Sequence, residues 1–242
     1  MELSPFKLER YFAKYEFTAQ YLLCSSDCES VTIQDLLALE PDALDLFHRH
    51  WLGYTESQGA PTLRQAICRL YTTAQPHEIL VHSGAEEAIF LFMHAALQSG
   101  DHIIVHSPYY QSLVEVARSI GCDVTPWQAH ERNGWALDLD DLKRHLRPNT
   151  RVIVINSPHN PTGFLMPHDH FREVNRIARE NGILLFSDEV YRESEYASSD
   201  RLPAACDVDD RAVSLGVMSK TYGCISATES TDVPGERLCR QG

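Results

Sequence analysis

Five short apolar runs constrain this chain more than anything else in it. They are Ile79-Leu80-Val81, Ile103-Ile104-Val105, Val152-Ile153-Val154-Ile155, Ile183-Leu184-Leu185-Phe186 and Ala212-Val213-Ser214-Leu215. Each is apolar at consecutive rather than alternate positions, the pattern of strands covered on both faces. Between them, helical spacing predicts helices over about 84–98, 109–120, 139–146 and 168–181, with Asn181-Gly182 stopping the last. Strand alternating with helix predicts an α/β fold around a mainly parallel sheet. Cys122-Asp123-Val124 predicts a further short strand.

The flanks read differently. Residues 1–50 are helical and amphipathic, notably Phe6 to Phe12 and Asp42 to Trp51. A loop from Gly53 to Pro61 follows, and Thr62 with Gln65 predicts a capping box for a helix running to Tyr71. Residues 224–242 show neither helical nor strand periodicity and read as an irregular or disordered tail. The organisation expected is a helical segment over 1–50, a ligand-binding domain over 51–223 and the tail.

Composition excludes some functions. With 43% hydrophobic and 23% charged residues, 242 residues can bury a core without disulfides. A net charge of −13 disfavours nucleic acid or an anionic membrane as partner, because both reward clustered Lys and Arg. A small anionic ligand needs only local positive charge. The seven cysteines match neither zinc-ribbon nor redox spacing, so no metal site is expected and the thiols read as reduced in a cytoplasmic protein. Met1-Glu2-Leu3-Ser4 lacks a basic stretch leading into an apolar run, so no signal peptide is expected. The most apolar stretch, Ala88 to Leu97, contains His94 and is about half a membrane span.

In a parallel sheet, ligands sit beyond the carboxyl ends of the strands. After Val81 comes His82-Ser83-Gly84-Ala85-Glu86-Glu87, where Ser83 and Glu86 predict a capping box. This is either an ordinary helix cap or a phosphate cradle at a helix N-terminus. After Val105 comes Ser107-Pro108-Tyr109-Tyr110, offering core packing or one flat aromatic platform. After Ile155, two prolines and a glycine in Asn156-Ser157-Pro158-His159-Asn160-Pro161-Thr162-Gly163 make a rigid loop able to aim Asn160. After Phe186 comes Ser187-Asp188-Glu189-Val190-Tyr191, whose Asp188 needs a partner if buried or else caps a turn. After Leu215 comes Gly216-Val217-Met218-Ser219-Lys220-Thr221-Tyr222-Gly223. Lys220 is a solvated lysine or a nucleophilic one at a crevice mouth. Together, a phosphate cradle, an aromatic, an amide, a carboxylate, a phenol and an amine form the inventory for holding pyridoxal phosphate.

On these residues the chain resembles the class I/II aminotransferases, the fold-type-I pyridoxal-phosphate-dependent enzymes, over roughly Gly53 to Gly223. The specific pieces are Ser157 to Gly163, Ser187 to Tyr191 and Ser219 to Gly223, with Tyr54, Gly59, Pro61, Leu63 and Arg64 as an earlier motif. The resemblance implies a three-layer large domain that binds pyridoxal 5'-phosphate, acts on an amino acid and a 2-oxo acid, and forms a homodimer. It implies that Lys220 bonds the cofactor aldehyde and shuttles the substrate's α-proton, and that Asp188 pairs with the pyridine nitrogen. Asn160 and Tyr191 would bond the phenolic oxygen, Tyr110 would stack on the ring, the backbone around Gly84, Ala85 and Glu86 would hold the phosphate, and Ser219 would be a further cofactor-binding residue. Tyr54 would reach the phosphate of the neighbouring subunit's site. The Lys220 amine must be neutral to react, so its pKa is expected to fall.

Three departures from the family pattern stand in the sequence. Val217 replaces a small or hydroxyl residue, and Thr228 falls where an arginine grips the phosphate. The chain also ends where relatives continue through an interior sheet strand and a C-terminal small domain. The expectation is a chain truncated after the lysine motif, with one sheet strand missing and turnover impaired. The competing readings are a non-catalytic remnant or partner of a full-length relative, and a carbon–sulfur lyase, decarboxylase or synthase on the same scaffold. A nicotinamide-binding fold fits poorly, because no Gly-x-Gly-x-x-Gly follows any strand.

Overall fold

A computed structural model describes residues 3–224 and 230–233. The N-terminal stretch contains α1 (Lys7–Tyr15), α2 (Ile33–Leu37), α3 (Ala43–His48) and α4 (Pro61–Cys68). The alternating part runs β1 (Leu80–His82), α5 (Ala85–Ala96), β2 (His102–Ser107), α6 (Ser112–Ile120), β3 (Asp123–Gln128), α7 (Leu139–His145), β4 (Thr150–Asn156), α8 (His168–Glu180), β5 (Leu184–Asp188), α9 (Ala205–Val208), β6 (Val213–Val217) and β7 (Ser230–Val233).

The sheet order is β1-β7-β6-β5-β4-β2-β3. Strands β2 to β6 pair in parallel, and β7 is antiparallel to both its neighbours. The continuous apolar runs follow from cover on both faces. Ile103, Val105, Val152, Val154, Phe186, Val213 and Leu215 pack with α5 and α6 on one side. Ile104, Ile153, Ile155 and Leu185, from the same strands, pack with α7 and α8 on the other. The result is the three-layer α/β fold expected from the alternation.

Several local expectations are corrected. Neither predicted capping box forms. Helix α4 begins at Pro61, whose missing N–H costs nothing at a first helical turn, and its N-cap is Ala60. Helix α5 is capped by Gly84, and the Ser83 N–H donates instead to the Glu87 carboxylate at 2.6 Å. The short strand at 122–124 is six residues long, because Pro126 is tolerated where β3 forms the sheet edge.

The largest correction is β7, which lies within the stretch read as an irregular tail and in the place expected to be missing a strand. Leu80 faces Asp232 on one side, and Leu215 faces the same residue on the other. A four-residue strand with three polar residues carries no apolar run, but its backbone groups satisfy two neighbouring edges at once. Cys239 and Thr228 lie outside the described residues. The six described cysteines are free thiols.

Candidate active site

Register brings the site together. Asn156, the last residue of β4, pairs with Asp188, the last of β5, and Asp188 pairs with Leu215 in β6. Lys220 stands three residues past the end of β6. Three neighbouring strands therefore end on one rim.

Asn156 organises the loop that follows it. Its Nδ2 donates to the Asp188 carbonyl at 3.0 Å, and its Oδ1 accepts the Asn160 N–H at 2.7 Å. His159 ties the loop to the end of β2. With Nε2–H donating to the Pro108 carbonyl (2.8 Å), Nδ1 is left to accept the Thr162 hydroxyl (2.7 Å). Its ring stacks on His106 at 3.6 Å. Burial lowers the pKa of His159 to about 4 and that of His106 to about 3, so both stay neutral. The Asn160 amide is thereby aimed at Tyr191, donating to its hydroxyl at 3.3 Å.

Asp188 is 4% exposed. Its Oδ1 accepts the Val190 N–H at 3.3 Å. Burial raises its pKa from 3.8 to about 7; Glu189 and Glu86 push the same way, and Lys220 is the cation that opposes them. The carboxyl group is dry and short of positive charge, so its ionised form is disfavoured. Glu189, its neighbour, is also buried, but it is spent on structure: its Oε1 accepts the Ala205 N–H (2.8 Å) and the Ser214 hydroxyl (2.9 Å).

Gly84 precedes α5 with φ +151° and ψ 161°, backbone space that is essentially closed to side chains. Gly84 and Ala85 thus open a helix N-terminus directly after β1. Glu86 turns away from the predicted cap toward Ser112 Oγ at 3.2 Å and the Tyr110 hydroxyl, with its pKa raised by burial. Burial and the Glu86 charge raise the pKa of Tyr110 in turn. The Tyr110 ring lies 5.1 Å from that of Phe6.

Lys220 forms an ion pair with Asp27, and its amine lies 6.0 Å from the centre of the Tyr191 ring. The Tyr191 hydroxyl donates to Ser26 Oγ at 2.8 Å. Burial alone would lower the lysine pKa, but Asp27 and Tyr191 outweigh it and the net direction is up. This reverses the expected fall, because an N-terminal carboxylate occupies the position beside the amine. Ser219 is half-buried next to it. Val217 is buried at the end of β6 and supplies no hydroxyl.

The structure thus gathers Asn160, Asp188, Tyr191 and Lys220. Gly84, Ala85, Glu86 and Tyr110 stand at neighbouring element ends, and Glu86 acts electrostatically on Asp188. Tyr54 is set apart from them, fully exposed on an open groove lined also by Trp51, Val81 and His82. Residues the sequence reading missed are Asn156, His159, Ser26 and Asp27. A polar residue closing an apolar strand, as Asn156 does, was a usable signal; no local pattern links Asp27 to Lys220.

Parallel strands ending together on an amide-bearing loop, a buried carboxylate and a lysine turn define a three-layer α/β domain with its reactive groups on the carboxyl rim. The profile of the family aminotransferase class I and II matches residues 18–227, and the chain belongs to that family. Capreomycidine synthase of Streptomyces vinaceus is 31% identical over 223 residues, covering 89% of this chain and 56% of that protein. An aspartate aminotransferase of Bacillus sp. (strain YM-2) is 30% identical over 201 residues, covering 81% of this chain and 50% of that protein. Among solved structures, a PLP-dependent aminotransferase from Streptococcus suis 89-1591 superposes with a TM-score of 0.91 at 31% identity, covering 98% of this chain and 64% of that one. The chain spans about half the length of the curated relatives it matches.

Proposed function

We propose that this chain forms the cofactor-holding part of an enzyme that moves an amino group between an amino acid and a 2-oxo acid, with pyridoxal 5'-phosphate at the strand ends. The observation that carries the reading is Asp188, a buried carboxylate short of positive charge, on the same rim as Asn160, Tyr191 and Lys220. A protonated ring nitrogen is the partner such a carboxylate lacks, so the residues present fit the cofactor.

When bound, pyridoxal phosphate supplies an electron sink for the charge left when a substrate loses its α-proton. Asp188 would hold the proton on the ring nitrogen. Asn160 Nδ2 and the Tyr191 hydroxyl, already 3.3 Å apart, would fix the phenolic oxygen. Tyr110 would cover one ring face. The phosphate would sit at the N-terminus of α5 against Gly84, Ala85 and Glu86, with Ser219 adding a hydroxyl. Val217 leaves that grip one hydroxyl weaker. Lys220 Nζ would bond the aldehyde and, as the neutral amine, take up the α-proton. The same reading carries a cytoplasmic homodimer, in which exposed Tyr54 reaches the partner's phosphate. Among the described residues, no helix is long and apolar enough to cross a membrane.

The test is absorbance on mixing with pyridoxal phosphate, borohydride reduction and peptide mapping, alongside a coupled 2-oxo-acid assay. Reduced cofactor on Lys220, lost in Lys220→Ala, is expected. Cofactor attached mainly at Lys7, Lys14 or Lys143 would overturn the reading.

A further inference from the structure

The N-terminal segment is fastened to the site at both of its ends. At its start, Gln111 accepts the Lys7 N–H at 3.1 Å and donates to the Pro5 carbonyl at 3.0 Å, and Phe6 lies against Tyr110. Farther along, Ser26 bonds the Tyr191 hydroxyl, Asp27 pairs with Lys220, and the Val31 N–H donates to the Gly223 carbonyl at 3.4 Å. A Cβ on Gly223 would stand 2.5 Å from the Glu29 carbonyl, and Gly223 itself has φ +63°. Only glycine lets the irregular stretch around residues 29–31 lie this close to the lysine turn.

These contacts fall on the two groups that the proposed cofactor would need, the Tyr191 phenol and the Lys220 amine. We propose that Ser26 and Asp27 form a built-in plug, seated on Tyr191 and Lys220, that must be displaced before the lysine can react. Asp27 is then a positioning residue that holds Lys220 in its unreactive, protonated form. The inference rests on the aminotransferase reading for the identity of what displaces the plug.

The charges around the amine agree with the geometry. From the N-terminal segment, Asp27 and Glu9 act on Lys220, and Tyr191 acts from the loop after β5. Asp188 lies within electrostatic reach of the lysine, and Glu86 within reach of Asp188. Of these, Asp27, Tyr191 and Glu9 favour the ammonium. Asp27, the one in direct contact, is the charge a mutation can remove without touching the rim itself. Withdrawing it leaves burial to act on the amine, and burial favours the neutral form that attacks an aldehyde.

The experiment compares the full chain with Asp27→Asn, Asp27→Glu and Ser26→Ala, first without cofactor. Trace acetylation with acetic anhydride converts each neutral amine to an amide and releases acetate, so its rate reads the neutral fraction of Lys220 after peptide mapping. At pH 8, D27N is expected to label at Lys220 about tenfold faster than the unmodified chain, one pKa unit's worth. D27E should restore slow labelling, and S26A, which loses only the Tyr191 contact, should label faster by a smaller factor. If D27N does not fold, S26A and D27E carry the comparison. On mixing with pyridoxal phosphate, D27N should develop its absorbance faster, and amide hydrogen exchange over residues 24–31 should rise in the unmodified chain. Equal Lys220 labelling in all four proteins, or exchange over 24–31 unchanged by cofactor, would overturn the plug. If cofactor attaches elsewhere while D27N still labels faster at Lys220, the Asp27 contact stands and the aminotransferase reading falls.

Discussion

Replacing Asp188 by Asn should make the cofactor-free chain more stable above neutral pH. The carboxyl is buried at the end of β5, and its pKa is raised from 3.8 to about 7 by burial, with Glu189 and Glu86 adding to it. An acid whose folded pKa exceeds its unfolded one binds more protons folded than unfolded between the two values. Stability therefore falls as pH rises from about 4 to about 7, by about 4 kcal/mol at most, at about 1.4 kcal/mol per pKa unit. An asparagine does not titrate, and its amide oxygen can still accept the Val190 N–H. The advantage of D188N should thus grow by about 2–3 kcal/mol between pH 5 and pH 8. With a urea slope of about 2–3 kcal/mol per molar, that is a midpoint change of about 1 M. The assay is urea unfolding of both proteins at several pH values without cofactor. Parallel profiles would refute the reasoning, because they would mean that the carboxylate is already ionised at pH 5 through a contact that stabilises it. A loss of about 3–5 kcal/mol at every pH would instead mark Asp188 as half of a structural ion pair. Adding pyridoxal phosphate should reverse the order, since only the carboxylate gains a cationic partner.

Two further expectations come from the same rim. The pKa of His106 is lowered from 6.5 to about 3, so stability falls as pH drops below 6.5, the unfolded chain binding the proton that the folded chain refuses. At pH 5 this costs about 2 kcal/mol. His106→Phe keeps a ring against His159 and should shrink that acid limb, leaving the share of His159, whose pKa is lowered to about 4; thermal melts at pH 7.5 and pH 5 that shift alike in both proteins would count against it. Gly84→Ala puts a side chain at φ +151°, ψ 161° and should cost about 1–3 kcal/mol in urea unfolding. A change below about 0.5 kcal/mol would show that the start of α5 relaxes freely.

Most of the fold was legible because its strands are buried on both faces. Ile103 and Ile104 face opposite layers, so neither could be polar, and a run of such positions reads as a central parallel strand. The site residues were legible for a related reason. Asn160, Asp188, Tyr191 and Lys220 follow directly after apolar runs, and topology puts the ends of parallel strands together. The capping boxes failed because α4 already starts at Pro61, one residue before Thr62, and Gly84 rather than Ser83 takes the N-cap of α5.

The α/β class, the strand ends and the chemistry available at each can be read from the order of residues alone. Strand β7 and the surroundings of Lys220 come from long-range pairing. Ser230–Val233 is a strand only because β1 and β6 offer it unpaired backbone on both sides, a condition that three polar residues and a valine cannot announce. Lys220 is separated from Asp27 by 193 positions. A charge pair over that distance leaves no periodicity in the chain, so the contact that favours the ammonium at Lys220 is set by which loop folds onto it.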